Sequence, residues 1–109
     1  METSEIRVVL STFPDLEKAR QIGTTLVESQ LAACVNLIPQ IESIYAWKGE
    51  IQRDSEVLAL IKTTEAGFDA LEKKLADLHP YDVPEIVALP VTAGGETYLK
   101  WVRETIEQG

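Results

Sequence analysis

Two residues of this 109-residue chain have the side chains that first-row metal ions prefer. Cys34 is the only cysteine and His79 the only histidine. One thiol and one imidazole leave such an ion short of its usual protein ligands, so the pair predicts at most a weakly bound divalent metal such as copper. Each residue also has a structural alternative. Cys34 fits a strand as a small apolar side chain, and His79 fits a helix end as a cap.

A second set of residues could form a binding cleft. The segment 80–85 holds two prolines, Tyr81 and two carboxylates including Glu85, which fits either a stiff connection or one wall of a cleft. Glu56 and Lys62, with Glu85, could converge across a subunit boundary or form interfacial salt bridges. No histidine adjoins a nucleophile, and no Walker, G-x-S-x-G or G-x-G-x-x-G motif occurs. The chain is therefore predicted not to be an enzyme, although His79 acting with carboxylates is an alternative.

The elements that position these residues are organised around the segment 31–63, which we predict to be one long β-hairpin. Both arms are rich in β-branched and aromatic residues, and the polar segment 48–50 supplies the turn. An arm of about fifteen residues would reach roughly 50 Å, whereas a compact domain of this size spans only ~35 Å. The tip, with Tyr45 and Trp47, should overhang its own domain, and a second chain is its expected cover. Trp101 is predicted to be another interface or core aromatic.

Apolar periodicity predicts the elements before and within the hairpin. Residues 6–12 are typical of an inner strand. Thr12, with Asp15 three residues later, forms a start signal for a helix that continues to about Ser29. Pro39 cannot donate to a strand ladder, so it is expected at a bulge or an unpaired edge.

The same periodicity predicts the second half of the chain. Thr64 is expected to cap a helix over 68–78, residues 85–91 to form the fourth strand, and residues 98–106 a terminal helix. The order βαββαβ is that of an α+β, ferredoxin-like sandwich with a four-stranded antiparallel sheet and two helices on one face. We assign residues 1–109 to a single domain. The other face of the sheet needs a cover, which independently predicts a homo-oligomer.

Charge and composition exclude several classes of partner. Eighteen acidic and ten basic residues give a formal net charge of −8, which disfavours binding to nucleic acid or to an anionic membrane. No apolar run approaches the ~20 residues needed to cross a bilayer. Residues 1–5 lack the basic segment of a secretion signal. We therefore expect a cytoplasmic protein.

Five blocks of sequence resemble the CutA divalent-cation tolerance proteins, in the same order and over nearly the whole chain. They are LAACVN (31–36), YAWKG (45–49), LIKT (60–63), HPYDVPEI (79–86) and YLKW (98–101). The resemblance implies a ferredoxin-like trimer that is joined edge to edge through the long hairpin and is similar in architecture to the PII signalling proteins. It also implies a function in tolerance of copper and other divalent metals, with metal ions or a small ligand bound at subunit clefts.

The resemblance also bears on the metal ligands and on an alternative function. Copper-binding members are similar in having a cysteine at the end of the first strand and two adjacent histidines before Pro-Tyr, where this chain has Ser11 and the pair Leu78-His79. Any copper is therefore expected to bind weakly. A PII-like signalling or interaction scaffold without metal binding is the alternative. Nucleotide sensing is weakly indicated, because a tight reversal at 47–50 stands where PII proteins have a long flexible loop.

Overall fold

The computed structural model describes residues 5–107. Its elements are β1 (Ile6–Phe13), α1 (Leu16–Glu28), β2 (Cys34–Trp47), β3 (Glu50–Thr64), α2 (Phe68–Leu78), β4 (Val87–Pro90) and α3 (Glu96–Glu107). The strands form one sheet in the order β2-β3-β1-β4, and every neighbouring pair is antiparallel. This is the predicted ferredoxin-like α+β fold with an added C-terminal helix. Residues 1–4, which belong to the segment examined for a secretion signal, lie outside the described part.

Both predicted helix caps on threonine are wrong. Asp15 caps α1, where its carboxylate accepts from the backbone N–H of Lys18 at 2.7 Å. Thr12 instead remains in β1, paired with Leu58. Thr64 is the last residue of β3, and its hydroxyl accepts from the backbone N–H of Gly67 just before α2 begins. β4 is also shorter than predicted.

One face of the sheet carries the main core. Val9 and Phe13 of β1 and Ile61 of β3 are at most 1% exposed, and they lie in one buried cluster with residues of α1 and α2. The apolar stripe of α2 contributes Leu71 and Leu75, as its periodicity predicts. α1 and α2 therefore cover this face together.

The opposite face is covered only at one end. There α3 places Leu99 and Val102 against Ile6 in a second, smaller buried cluster. Further along the same face Val87 and Leu89 of the edge strand β4 remain 47% and 44% exposed. Within the chain itself, much of this apolar face therefore has no cover.

The long hairpin extends past the rest of the sheet. β1 pairs with β3 only as far as Val57, so the part of β3 before Val57 pairs with β2 alone. The molecule is accordingly elongated, 46 × 26 × 22 Å. A register shift between Ile38 and Ile41 places Pro39 in a bulge, as predicted. At the tip, Lys48 and Gly49 have φ angles of 51° and 81°, the positive values that a two-residue type I′ turn requires.

Among the described residues, no helix is long and apolar enough to span a membrane.

Candidate functional site

A cleft of about 800 Å³ lies beside the overhanging part of the hairpin. The hairpin forms one side, and the segment that follows α2 forms the other. We call it the hairpin cleft. Its lining residues are Thr12, Ser43, Ile44, Tyr45, Trp47, Asp54, Glu56, Pro80, Tyr81, Asp82, Val83 and Glu85.

Strand alternation explains why the hairpin residues converge. Tyr45 and Trp47 are two residues apart on β2, and Asp54 and Glu56 are two residues apart on β3, so each pair points to one side of its strand. The register places Ser43 opposite Asp54 and Ile41 opposite Glu56, so the two pairs share a face. The hairpin therefore contributes two aromatic rings and two carboxylates to the same wall.

Two phenols connect the aromatic and acidic parts of the lining. The Tyr81 hydroxyl donates to Glu56 Oε2 at 2.6 Å, across the cleft from loop to hairpin. The Tyr45 hydroxyl donates to Asp54 Oδ2 within the hairpin. Burial, reinforced by the bond to Glu56, raises the pKa of Tyr81, and the bond to Asp54 raises the pKa of Tyr45. Both phenols thus remain protonated donors at neutral pH.

The cleft carries charge of one sign. Four carboxylates line it, those of Asp54, Glu56, Asp82 and Glu85, and no lysine or arginine does. The salt bridges found among residues 5–107 lie elsewhere and involve none of these four. The site therefore presents uncompensated negative charge beside aromatic rings.

His79 holds the loop wall in place through both of its ring nitrogens. Nε2 lies 2.8 Å from the Thr12 carbonyl oxygen, and Nδ1 accepts from the backbone N–H of Tyr81 at 3.1 Å. This pattern requires the neutral tautomer with the proton on Nε2. The residue is 8% exposed, and its ring stacks on that of Phe13 with centroids 4.7 Å apart. Burial lowers the pKa of His79, opposed by the bond to Thr12 and the charge of Glu56.

His79 does lie at the end of α2, but its ring does not cap the helix. Its backbone N–H donates to the Leu75 carbonyl, while the ring turns toward the end of β1. The predicted capping of the helix end by the His79 side chain is therefore not the interaction that the ring makes.

The structure does not bring Cys34 and His79 together. Cys34 pairs with Lys62, which pairs with Val8, whereas His79 bonds Thr12, four residues further along β1. Four strand residues span about 13 Å, and the two intervening strand spacings add about 10 Å across the sheet. No group of three potential ligands occurs in the described part of the chain. With both nitrogens of His79 engaged, these residues do not fit a tight copper site.

Comparison with known proteins places the chain in a family. The family model of the CutA1 divalent ion tolerance protein matches residues 7–105. This chain belongs to the CutA1 divalent ion tolerance family. The Divalent-cation tolerance protein CutA of Thermus thermophilus is 54% identical over 97 residues, which cover 89% of this chain and 94% of the relative. Protein CutA of Homo sapiens is 52% identical over 88% of this chain, but the chain spans only 54% of the length of that relative.

Solved structures of the family have the same fold. The CutA1 structure from Thermus thermophilus has a TM-score of 0.90 at 52% identity and covers 92% of this chain and 97% of its own. The CutA structure from Xylella fastidiosa has a TM-score of 0.92 at 40% identity, with coverage of 94% and 99%. The resemblance inferred from the five sequence blocks is thus confirmed.

Of the nine predicted site residues, five line the hairpin cleft and four do not; one of the four, His79, holds the loop wall from behind. Tyr45, Trp47, Glu56, Tyr81 and Glu85 line it, so the segment 80–85 is a cleft wall rather than only a stiff connection. Three other predicted residues lie elsewhere. Lys62 donates to the Asn36 side chain, Cys34 lies 3.8 Å from the same amide oxygen, and Trp101 packs against Tyr98 on α3.

Asp54 is the acidic lining residue that the sequence interpretation missed. It carries a usable signal, because it lies two residues from Glu56 and therefore on the same face of a strand. Asp82 is the second of the two carboxylates predicted in the segment 80–85, and it lines the cleft with Glu85.

Proposed function

We propose that this chain is a non-enzymatic, cytoplasmic homotrimer that serves divalent-cation tolerance by binding a small ligand in the hairpin cleft. Membership of the CutA1 family supports the cellular function. The observation that carries the binding proposal is the cleft itself, which is of the size used for small molecules and combines aromatic and acidic groups. Any metal ion binds there weakly, through carboxylates.

Exposed apolar surface supports assembly. Ile44 and Ile51 of the hairpin overhang are 61% and 62% exposed, and Trp47 is 51% exposed. The uncovered sheet face adds Val87 and Leu89. Leaving such side chains in water forgoes on the order of 1.5–3 kcal/mol each relative to full burial. Further copies of the chain are the proposed cover, and the number three comes from the family resemblance.

Two measurements on the purified protein test the proposal. Light scattering should give a trimeric mass at micromolar concentration, and a monomeric mass would overturn the assembly. NMR titration of the backbone N–H groups of Tyr81, Asp82 and Val83, on the loop wall of the cleft, with Zn²⁺, ATP and inorganic phosphate should give a shift with at least one probe. A trimer in which none of these probes shifts the loop wall would refute ligand binding and favour an interaction scaffold.

A further inference from the structure

We infer that Tyr81 is a brace that fixes the direction in which the hairpin overhang, residues 41–56, leaves the domain. The inference goes beyond ligand binding, and it rests on the proposed function only for its consequence in assembly. It starts from a gap in the sheet. β1 pairs with β3 only as far as Val57, so residues 50–56 have β2 alone beside them. A ribbon of two strands is at best marginally stable in water, so contacts outside the ribbon are needed to fix its direction.

The base of the overhang is also the point where the ribbon is weakest. The register shift between Ile38 and Ile41 lies beside Glu56, which pairs with Ile41, and Gln40 within the bulge has a φ angle of 61°. A bulge disrupts the ladder and bends its strand. The pairing with β1 ends at the adjacent residue, Val57. The bulge and the end of the three-stranded part therefore coincide, so the ribbon bends most easily at Glu56.

A stack of three rings connects that point to the core. Phe13, the last residue of β1, is 1% exposed, and its ring stacks on His79. His79 in turn lies against Tyr81, with ring centroids 4.9 Å apart. The Tyr81 hydroxyl then donates to Glu56 Oε2 at 2.6 Å. Because aromatic side chains have only two rotatable bonds, the stack is a rigid connection between the end of β1 and the base of the overhang.

The direction of the overhang matters for the proposed assembly. The overhang carries Ile44, Trp47 and Ile51, whose exposed surface we assign to neighbouring copies. A closed ring forms only when each contact repeats at an angle that closes it. A ribbon that already points in this direction loses less conformational freedom on association. Tyr81 therefore orders the free chain for assembly. The Tyr45 hydroxyl cannot do so, because it bonds Asp54 within the hairpin itself.

A double-mutant cycle on Tyr81 and Glu56 tests the brace, with dissociation of the assembly followed by light scattering and sedimentation. Tyr81→Phe removes only the donor, and Glu56→Ala removes its acceptor. Each should weaken association by about tenfold, because the ribbon must then be ordered on binding. The double variant should associate no more weakly than the weaker single variant, since both changes remove the same bond. Glu56→Gln should retain most of the affinity, because its amide oxygen still accepts from Tyr81.

Thr63→Val is the matched control for a general loss of stability. It removes the hydrogen bond from the Thr63 hydroxyl to the Leu31 carbonyl, 2.8 Å long and far from the overhang, and it keeps the β-branched shape. This variant should lower the urea midpoint without weakening association. Additive effects of Tyr81→Phe and Glu56→Ala would overturn the inference, as would a Tyr81→Phe variant that associates like Thr63→Val.

A monomeric parent at micromolar concentration would refute the proposed assembly, and the brace is then tested in that monomer. NMR relaxation of the backbone amides should show residues 43–54 becoming more mobile relative to β1 in Tyr81→Phe. Tyr45→Phe and Thr63→Val should leave this mobility unchanged. If Tyr81→Phe leaves it unchanged as well, the brace is refuted independently of assembly.

Discussion

Replacing Trp47 by alanine should weaken assembly far more than its position near a surface turn suggests. The side chain is 51% exposed within the chain. A tryptophan presents up to about 250 Å² of surface, so roughly 125 Å² is left for a partner to cover. At about 25 cal/mol per Å², that cover contributes about 3 kcal/mol for each contact. Because about 1.4 kcal/mol corresponds to a factor of ten, association should weaken about a hundredfold per contact.

Light scattering and thermal unfolding, each repeated from nanomolar to high micromolar protein, measure this effect. Trp47→Ala should dissociate at concentrations where the parent remains assembled, and its unfolding midpoint should become more dependent on concentration. Lys73→Ala is the control, since its side chain is 81% exposed on α2. It should change stability by no more than about 0.5 kcal/mol. If Trp47→Ala keeps the parent's mass and midpoint, the hairpin tip is solvent-exposed in the assembly and the covering argument is wrong.

Three further predictions concern His79, copper and the hairpin turn. Burial lowers the pKa of His79 from its ordinary value of 6.5, so the unfolded chain binds this proton more readily. The stability that this shift contributes should be fully present above pH 6.5 and lost as pH falls through the lower folded pKa. Urea unfolding at several pH values should detect this loss in the parent and not in His79→Asn. Calorimetry should show copper binding no tighter than about micromolar, and tight stoichiometric binding abolished by Cys34→Ala would contradict this. Gly49→Ala should cost about 1 kcal/mol of stability because a side chain is strained at positive φ. Gly49→Asn should cost less, and equal unfolding midpoints for the two variants would show that backbone strain does not decide the outcome.

The hairpin could be predicted from sequence because several local signals agree on it. β-branched residues favour both arms, glycine permits the positive φ at position 49, and Pro39 marks the bulge. The helix starts could not be predicted as securely. Thr12 and Asp15 both match capping preferences, and the choice depends on pairing. Thr12 remains in the β1 ladder opposite Leu58, which leaves Asp15 as the first residue free to cap.

In the candidate site, too, the groupings that depend on local pattern could be predicted from the sequence, and those that depend on long-range pairing could not. Tyr45 with Trp47, and Asp54 with Glu56, share strand faces, and such groupings follow from alternation alone. The separation of Cys34 from His79 depends on which residues pair across three strands. Both residues have side chains that can bind copper, but the sequence does not show which strand residues pair with each other. For this reason the sequence can name candidate ligands but cannot place them in one site.

A difference in strand length creates the cleft and also leaves the apolar surface that needs a cover. β1 stops at Phe13, while β2 and β3 continue for a further seven residues of β3 to the turn. Beyond Phe13 the hairpin has no third strand, and the segment after α2 occupies that space. His79 fixes the segment to the end of β1 through the Thr12 carbonyl, and the Tyr81 hydroxyl then bonds Glu56 on the hairpin. Coordination of a metal at either ring nitrogen of His79 would break one of the two bonds that hold the cleft wall in place. The sole histidine is therefore explained better as the anchor of that wall than as a metal ligand.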